Sequence, residues 1–360
     1  MIEFRGVTKR FPDGTVAVDA LDLTVDAGKI TVFVGPSGCG KTTSLRMINR
    51  MIDVSDGTIE VDGQDINSVD AADLRRGIGY VIQQAGLFPH RTILDNIATV
   101  PLLLGWNKAK ARRRAAELME TVGLVPEMAK RYPAQLSGGQ QQRVGVARAL
   151  AADPPVLLMD EPFSAVDPVV RESLQEELLR LQGELGKTIV FVTHDIDEAV
   201  KLGDKVAVFR TGGILAQYDE PGVLLARPAD DFVDNFVGRD RGYRGLGFLS
   251  STKLPLGELP TVALGEPAPR GEGWTLVVDG ERRPQGWVRG VTGPVGADLV
   301  PGGSLYDISS GSLRSALDAA LSSPSGQGVA VDGDGAVAGS ISADDVLRAL
   351  EGARRDEAAA

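Results

Sequence analysis

Short apolar segments separated by polar stretches run through the first 240 residues, and most have the length of a β-strand. Residues 2–34 predict antiparallel strands at 2–7, 16–25 and 30–34. Further strands are predicted at 57–66 (a hairpin), 78–82, 156–159, 188–192, 206–209 and 214–217. Because helical stretches lie between the central strands, we expect an α/β fold with an antiparallel side sheet.

A helical segment interrupts this pattern at 91–132 and includes a strongly basic helix at 107–122. We expect a helical subdomain at about 88–150, inserted into the α/β core. The basic residues at the start of the helix are typical of a solvated face, with contact to anionic lipid as the alternative. They are Lys108, Lys110, Arg112, Arg113 and Arg114.

The composition changes near residue 238, where Gly, Pro, Ser and Ala become more frequent. A chain of 360 residues has room for two domains, and we expect them at 1–240 and 241–360. No apolar run reaches membrane-spanning length, and the start of the chain lacks the apolar core of a signal peptide. The expectation is a protein that stays in the cytoplasm.

The charge of the chain disfavours nucleic acid as a partner, because the net charge is −11 and no long basic run is present. The single cysteine, Cys39, excludes an internal disulfide and a cysteine-based zinc site. We interpret it as a small filler and not as a nucleophile.

Residues 35–42 fit the phosphate-loop pattern G-x-x-x-x-G-K-[ST], between a predicted strand and a predicted helix. Backbone N–H groups of such a loop and of the helix N-terminus bind phosphate. Lys41 is expected to reach the β- and γ-phosphates, and Thr42 to supply a hydroxyl ligand to Mg²⁺. The predicted ATP-binding residues of this loop are Gly35, Pro36, Ser37, Gly38, Cys39, Gly40, Lys41, Thr42 and Thr43.

A second motif region, 136–167, contains LSGGQ, then an apolar strand that ends at Asp160-Glu161, then a Ser-x-x-Asp turn. Two adjacent carboxylates at a strand end suit a Mg-nucleotide site, since one can hold the metal shell and the other can orient water. Together with a later His194, these motifs resemble the ATP-binding subunit of an ABC transporter. The resemblance covers residues 1–240, and the segments 80–97 and 237–244 are most similar to the importers of glycine betaine, choline or carnitine.

The resemblance implies roles for individual residues. Phe11 would stack on adenine, and Gln83, or in another register Gln84, would contact the metal or the attacking water. Asp160 would hold Mg²⁺ through water, and Glu161 would act as the general base or as the carboxylate that orients water. The catalytic set is then Glu161, His194, Gln83 and Lys41, and the metal set is Thr42, Gln83 and Asp160.

The resemblance also implies that each ATP is shared between two subunits of a head-to-tail homodimer. Ser137, Gly138, Gly139 and Gln140 would bind the γ-phosphate of ATP held by the other subunit, and Asp167 would link the two sites. The fold implied is a P-loop ABC ATPase, with a RecA-like core, an antiparallel β subdomain and a helical subdomain. Two transmembrane permease subunits and an extracellular solute-binding protein are the implied partners.

Two other functions stay open from the sequence. An importer of a different small solute would carry the same kind of ATPase, because this chain never touches the solute. A non-transport ABC ATPase is disfavoured, since the chain has neither a long coiled-coil insertion nor two ATPase halves.

The C-terminal part resembles a cystathionine-β-synthase (CBS) repeat at about 304–350, with a G-x-x-[ST]-x-x-D ending at Gly339, Ser342 and Asp345. A degenerate first copy is expected at 274–289, without a clear helix before it. The small α+β domain that this predicts would bind a regulatory nucleotide or sense ionic strength. The alternative is a module that only packs or dimerises.

Overall fold

The computed structural model describes residues 1–83, 86–164, 166–249, 251, 254–269, 273–290 and 293–359. The chain divides into an N-terminal unit, Met1–Val237, and a C-terminal unit, Gly238–Ala360. None of the helices in the described ranges is long and apolar enough to cross a membrane.

An antiparallel side sheet with the strand order β2-β1-β4-β5 opens the N-terminal unit. Its strands are β1 (Ile2–Arg10), β2 (Val16–Val25), β4 (Asp56–Val61) and β5 (Gln64–Asp65). The predicted hairpin at 57–66 is present as β4 and β5. The first strand is three residues longer than predicted, because the ladder between β1 and β2 continues to Arg10.

The central sheet has the strand order β10-β9-β3-β8-β7-β6. Its strands are β3 (Ile30–Val34), β6 (Ile78–Val81), β7 (Val156–Asp160), β8 (Thr188–Val192), β9 (Lys205–Arg210) and β10 (Ile214–Asp219). Neighbouring strands are parallel except for the β9–β10 hairpin.

The prediction that β3 belongs to the antiparallel run was wrong. This strand pairs in parallel with β8 and β9 in the centre of the main sheet. All five of its residues are buried, and such a continuous apolar run is typical of a parallel strand that is covered on both faces.

Helices cover the central sheet on both faces. In the N-terminal unit they are α1 (Lys41–Ile48), α2 (Ala71–Arg76), α3 (Ile93–Ile97), α4 (Thr99–Leu103), α5 (Lys108–Thr121), α6 (Gly138–Leu150), α7 (Pro168–Leu185), α8 (Ile196–Leu202), α9 (Pro221–Ala226) and α10 (Asp231–Val237). Leu157 and Met159 of β7 belong to one apolar core, and Leu158 belongs to the core on the other face. Alternate side chains of β7 therefore pack into the two apolar cores on opposite faces of the central sheet.

The segment predicted as a helical subdomain contains helices α3 to α6. Ala111, Ala115, Leu118 and Met119 of α5 are buried at helical spacing and form a core with α6. This apolar stripe explains why a helix with so many basic residues packs against the unit.

The C-terminal unit contains two three-stranded sheets, β11-β12-β13 and β14-β15-β16. Their strands are β11 (Thr261–Ala263), β12 (Trp274–Val278), β13 (Pro284–Arg289), β14 (Leu305–Asp307), β15 (Gln327–Val331) and β16 (Val337–Ser342). The helices of this unit are α11 (Arg241–Gly245), α12 (Leu313–Ser322) and α13 (Ala343–Ala359).

Both sheets have the same topology: the first two strands are parallel and the last two are antiparallel. In the second sheet α12 lies between the first two strands in sequence and α13 follows the last, whereas no helix is described within 264–269, 273–290 or 293–300. Ser342 and Asp345 of the predicted motif cap the start of α13, because the Asp345 N–H donates to Ser342 Oγ at 3.2 Å and the Ser342 N–H donates to Asp345 Oδ2 at 3.2 Å.

Candidate functional site

The loop of residues 35–40 joins β3 to α1 and is held tightly against its neighbours. A Cβ atom at Gly35 would lie 2.2 Å from the Phe209 carbonyl oxygen, and one at Gly40 would lie 2.2 Å from the Ala17 carbonyl oxygen. Gly40, at φ 100°, is the N-cap of α1 and supplies no side-chain cap. The first N–H groups of α1 are therefore left without a side-chain cap, as an anion site requires.

Lys41 is buried and folds back over its own loop. Its Nζ donates to the carbonyl oxygens of Gly35 at 2.7 Å and Pro36 at 2.9 Å. The Cys39 sulfur lies 3.7 Å from the same nitrogen and is also buried, and this burial raises the pKa of the Cys39 thiol. A buried thiol with a raised pKa fits the expected filler role, because the reactive form is the thiolate.

The predicted metal residues Thr42 and Asp160 are in contact. The Thr42 hydroxyl donates to Asp160 Oδ1 at 2.8 Å, while Arg46 Nη2 and the Tyr80 hydroxyl both lie 3.4 Å from Asp160 Oδ2. Sequence reasoning missed Arg46 and Tyr80. The signal for Arg46 was its position one helical turn after Thr42, which places both on the same face of α1.

Glu161, Gln83 and His194 meet at the carboxyl edge of the central sheet. His194 Nδ1 lies 3.2 Å from Glu161 Oε2, and Gln83 Nε2 lies 3.5 Å from the same oxygen. Gln83 also donates to the hydroxyl of Ser164 at 3.1 Å, a partner that sequence reasoning did not single out. The alternative residue, Gln84, lies outside the described residues.

The backbone of Glu161 has an unusual conformation for a residue with a side chain. Its φ is 45°, in the left-handed region, and its N–H donates to the Val192 carbonyl oxygen at 3.0 Å. Non-glycine residues held in this region often cluster at functional sites. The turn directs the carboxylate to the strand edge, where Gln83 and His194 contact it.

The signature turn, residues 137–140, begins helix α6 with a capping box. Ser137 Oγ accepts from the Gln140 N–H at 3.3 Å, and Gln140 Oε1 accepts from the Ser137 N–H at 3.0 Å. Ser137 and Gly138 are exposed, whereas Gly139 is buried against Val170. In the described part of the chain, the hydrogen bonds of Ser137 are made with Gln140 and Gln141 at the start of α6, and none joins it to the phosphate loop of the same chain.

Two further predicted residues lie at element boundaries. Phe11 sits in the turn between β1 and β2, with Lys9 Nζ 5.3 Å from the centre of its ring. Asp167 caps α7 by accepting from the Val169 N–H at 3.0 Å. Neither contact tests the predicted role in nucleotide binding or in linking two sites.

The sequence profile described as ABC transporter matches residues 18–164, which contain the phosphate loop, the signature turn and the end of β7. An osmoprotectant import ATP-binding protein of Salmonella typhimurium is 44% identical to this chain, and the alignment covers 98% of the chain and 97% of that protein. The chain belongs to the ATP-binding subunits of ABC transporters. It is a transport-coupled enzyme that hydrolyses ATP.

Other relatives match about two thirds of this chain. A glycine betaine/carnitine/choline transport ATP-binding protein of Bacillus subtilis is 53% identical over 67% of this chain and 63% of its own length. A dimeric ATP-binding cassette in a post-hydrolysis state, bound to ADP and Pi, has a TM-score of 0.56 at 35% identity. That likeness covers 61% of this chain and 99% of the cassette, and it confirms the predicted ABC ATPase fold.

The contacts of Glu161 generate a first prediction. Glu161→Gln should lower kcat for ATP hydrolysis by about 100-fold or more, because an amide cannot accept a proton from water. The affinity for ATP should stay close to that of the unchanged chain, since the phosphate loop is not altered. Phosphate release and equilibrium binding of ATP measure the two effects.

Glu176→Gln is the matched control, because Glu176 is exposed on α7. This variant should hydrolyse ATP at the normal rate. Near-normal hydrolysis by the Glu161 variant would remove this residue from the catalytic set.

Proposed function

We propose that this chain drives an importer of a quaternary-amine osmoprotectant, such as glycine betaine, choline or carnitine. The observation that carries the proposal is the 44% identity, over nearly the whole length of both chains, to an osmoprotectant import ATP-binding protein. Several relatives are named for the transport of glycine betaine, carnitine or choline, and another is named for the transport of trimethylamine N-oxide. An importer of another small solute is the alternative.

We propose that ATP binds with its phosphates over the loop of residues 35–43 and its adenine on Phe11. The close packing of Gly35 and Gly40 supports this, because a side chain at either position would displace the loop. Lys41 would exchange its two carbonyl partners in the loop for phosphate oxygens. Its ammonium group is already held at the centre of the loop.

The side chains at the strand edge also fit Mg²⁺. Thr42, Asp160 and Gln83 offer hydroxyl, carboxylate and amide oxygens, which are the hard ligands that Mg²⁺ prefers. No cluster of three or more His, Cys, Asp or Glu side chains suited to a metal occurs in the ranges that the structure describes. We therefore propose that the protein supplies few ligands and that the phosphates and water supply the rest. The chemistry that Mg²⁺ contributes when bound is neutralisation of phosphate charge.

For hydrolysis, the proposed role of Glu161 is to orient a water molecule in line with the γ-phosphate and to take its proton. His194 would contact the γ-phosphate, and Gln83 would hold the water or the metal. His194 and Gln83 each lie within 3.5 Å of the Glu161 carboxylate. Such an arrangement acts by positioning and by charge, as is usual for phosphoryl transfer.

We propose that two copies of the chain form the working enzyme. The exposed signature turn and the uncapped amides of α1 would face each other across a head-to-tail dimer, with an ATP molecule in each interface. The dimeric state of the similar cassette supports this arrangement. Permease subunits in the membrane and an extracellular solute-binding protein would complete the importer, with this chain at the cytoplasmic face.

A regulatory role is proposed for the C-terminal unit, through ionic strength or a bound nucleotide. Support comes from the resemblance to a CBS repeat and from the repeated strand topology of its two sheets. A module that only packs or dimerises is the alternative.

The solute can be tested by uptake of labelled glycine betaine at raised osmolarity, in cells that lack this gene and every other betaine importer. The unchanged chain should restore uptake and the Glu161→Gln chain should not. Unlabelled choline and carnitine are then added as competitors, and the extent to which each lowers the uptake of labelled glycine betaine ranks the solutes. Equal uptake with no chain, the unchanged chain and the variant would contradict the osmoprotectant assignment, while leaving the ATPase activity unaffected.

The regulatory role can be tested by removing residues 250–360. The shortened chain, assembled with its permease, should keep its uptake at low salt and lose the change in uptake as salt rises. A chain that lacks only residues 351–360 is the control. An unchanged salt response in the shortened chain would rule out ionic-strength sensing by this unit.

A further inference from the structure

Glu198 is a buried carboxylate directly behind His194. It lies in the first turn of α8 and is only 7% exposed. Its two oxygens have different partners: the Thr193 hydroxyl donates to Oε2 at 2.6 Å, and Gln175 Nε2 donates to Oε1 at 3.2 Å. Neither the sequence motifs nor the proposed chemistry uses this residue.

The contact with Thr193 fixes the backbone on both sides of His194. The Thr193 hydroxyl donates to Glu198 and also accepts from the N–H of Asp195 at 3.0 Å. The N–H of Thr193 donates to the Phe33 carbonyl oxygen at 3.1 Å, which ties the same residue to β3. His194 itself is more than half exposed, so these neighbours, and not its own packing, set its position.

The contact with Gln175 connects this segment to helix α7. One turn earlier on α7, Arg171 donates to the Val166 carbonyl oxygen at 3.3 Å and lies 4.0 Å from the carboxylate of Asp195. Helix α7 starts at Pro168, directly after Asp167. The inner face of α7 therefore bonds both the turn before Asp167 and the segment that carries His194.

Simple attachment of α8 to α7 does not need a buried acid. An exposed ion pair, Lys201 with Glu172 at 3.4 Å, already joins the same two helices. Burial raises the pKa of Glu198 because it disfavours the charged carboxylate, and the hydrogen bonds from Thr193 and Gln175 oppose that rise. A buried carboxylate at such a site orients its hydrogen-bond donors, which an apolar side chain could not do.

We propose that Glu198 is a positioning residue for ATP hydrolysis: through Thr193 it holds His194 against Glu161, and through Gln175 it couples that position to the N-terminus of α7. This inference rests on the proposed role of His194 in the ATP site. It adds a physical connection within one chain between His194 and the turn that carries Asp167.

The first test compares Glu198→Leu with Glu198→Gln in the full-length chain. The leucine keeps the volume but accepts no hydrogen bond, so kcat should fall by about 10-fold to about 100-fold while KM for ATP is unchanged. The glutamine can accept from Thr193 and, once the Gln175 amide turns over, can donate to its carbonyl oxygen. It should therefore restore most of kcat. If the leucine variant does not fold, Thr193→Val takes its place. It replaces only the hydroxyl with a methyl group, and it should cause the loss of kcat that is expected for Glu198→Leu.

Glu172→Gln is the matched control, because it breaks the exposed ion pair between the same two helices and should leave kcat unchanged. A second control is the midpoint of thermal unfolding for every variant. Equal losses of kcat in the leucine and glutamine variants would overturn the proposal. An increase in KM together with a normal kcat would overturn it as well.

The decisive comparison adds each change to His194→Ala. If Glu198 acts through His194, then Glu198→Leu should cause no further loss of kcat in that chain. A full additional loss would show a general structural role and overturn the proposal. A His194→Ala chain with normal kcat would instead contradict the proposed site, whereas a low rate in that chain with normal kcat in Glu198→Leu would contradict only the present inference.

Discussion

The parallel pairing of β7 with β6 on one side and β8 on the other is the constraint on which the site depends. Asp160 pairs with Val192, and Met159 pairs with Val81, so three consecutive carboxyl ends meet at one edge. Polar side chains follow each strand at that edge: Gln83 after β6, Glu161 after β7 and His194 after β8. Because every residue of β7 and β8 is buried, a slip in register would require apolar side chains to leave the two cores. The same packing that stabilises the sheet therefore holds the catalytic groups together.

Much of this arrangement could be predicted from the sequence. The strands are continuous apolar runs, and a polar residue one or two positions after a parallel strand must lie at the sheet edge. The grouping of Gln83, Glu161 and His194 follows from that rule. The error on β3 came from its position directly after two antiparallel strands in the chain, whereas its continuous apolar run, buried on both faces, is typical of a parallel strand. Phe11 and Asp167 stay predictions, because their proposed partners are an adenine and a second subunit.

The residues that sequence reasoning missed are polar side chains to which no motif assigned a role. Tyr80 and Arg46 contact Asp160, Ser164 contacts Gln83, and Glu198 contacts Thr193. The partners of Arg46, Tyr80 and Ser164 are about 80 or more residues away in sequence, whereas Glu198 contacts Thr193 five residues before it. They form a layer beneath the motif residues and orient them. These contacts can be identified only from the structure, and catalysis that acts by positioning depends on them.

The central claim is that each ATP is completed by two chains, and mixing two inactive variants tests it most directly. Lys41→Ala removes the phosphate-loop amine, and Ser137→Arg blocks the signature turn. A dimer of one chain of each kind contains one intact site, made from the loop of one subunit and the turn of the other. Each variant alone should be inactive, and the mixture should recover part of the ATPase rate of the unchanged chain. No recovery in mixed dimers that are shown to form would contradict the shared site, and so would full activity of the Ser137→Arg chain alone.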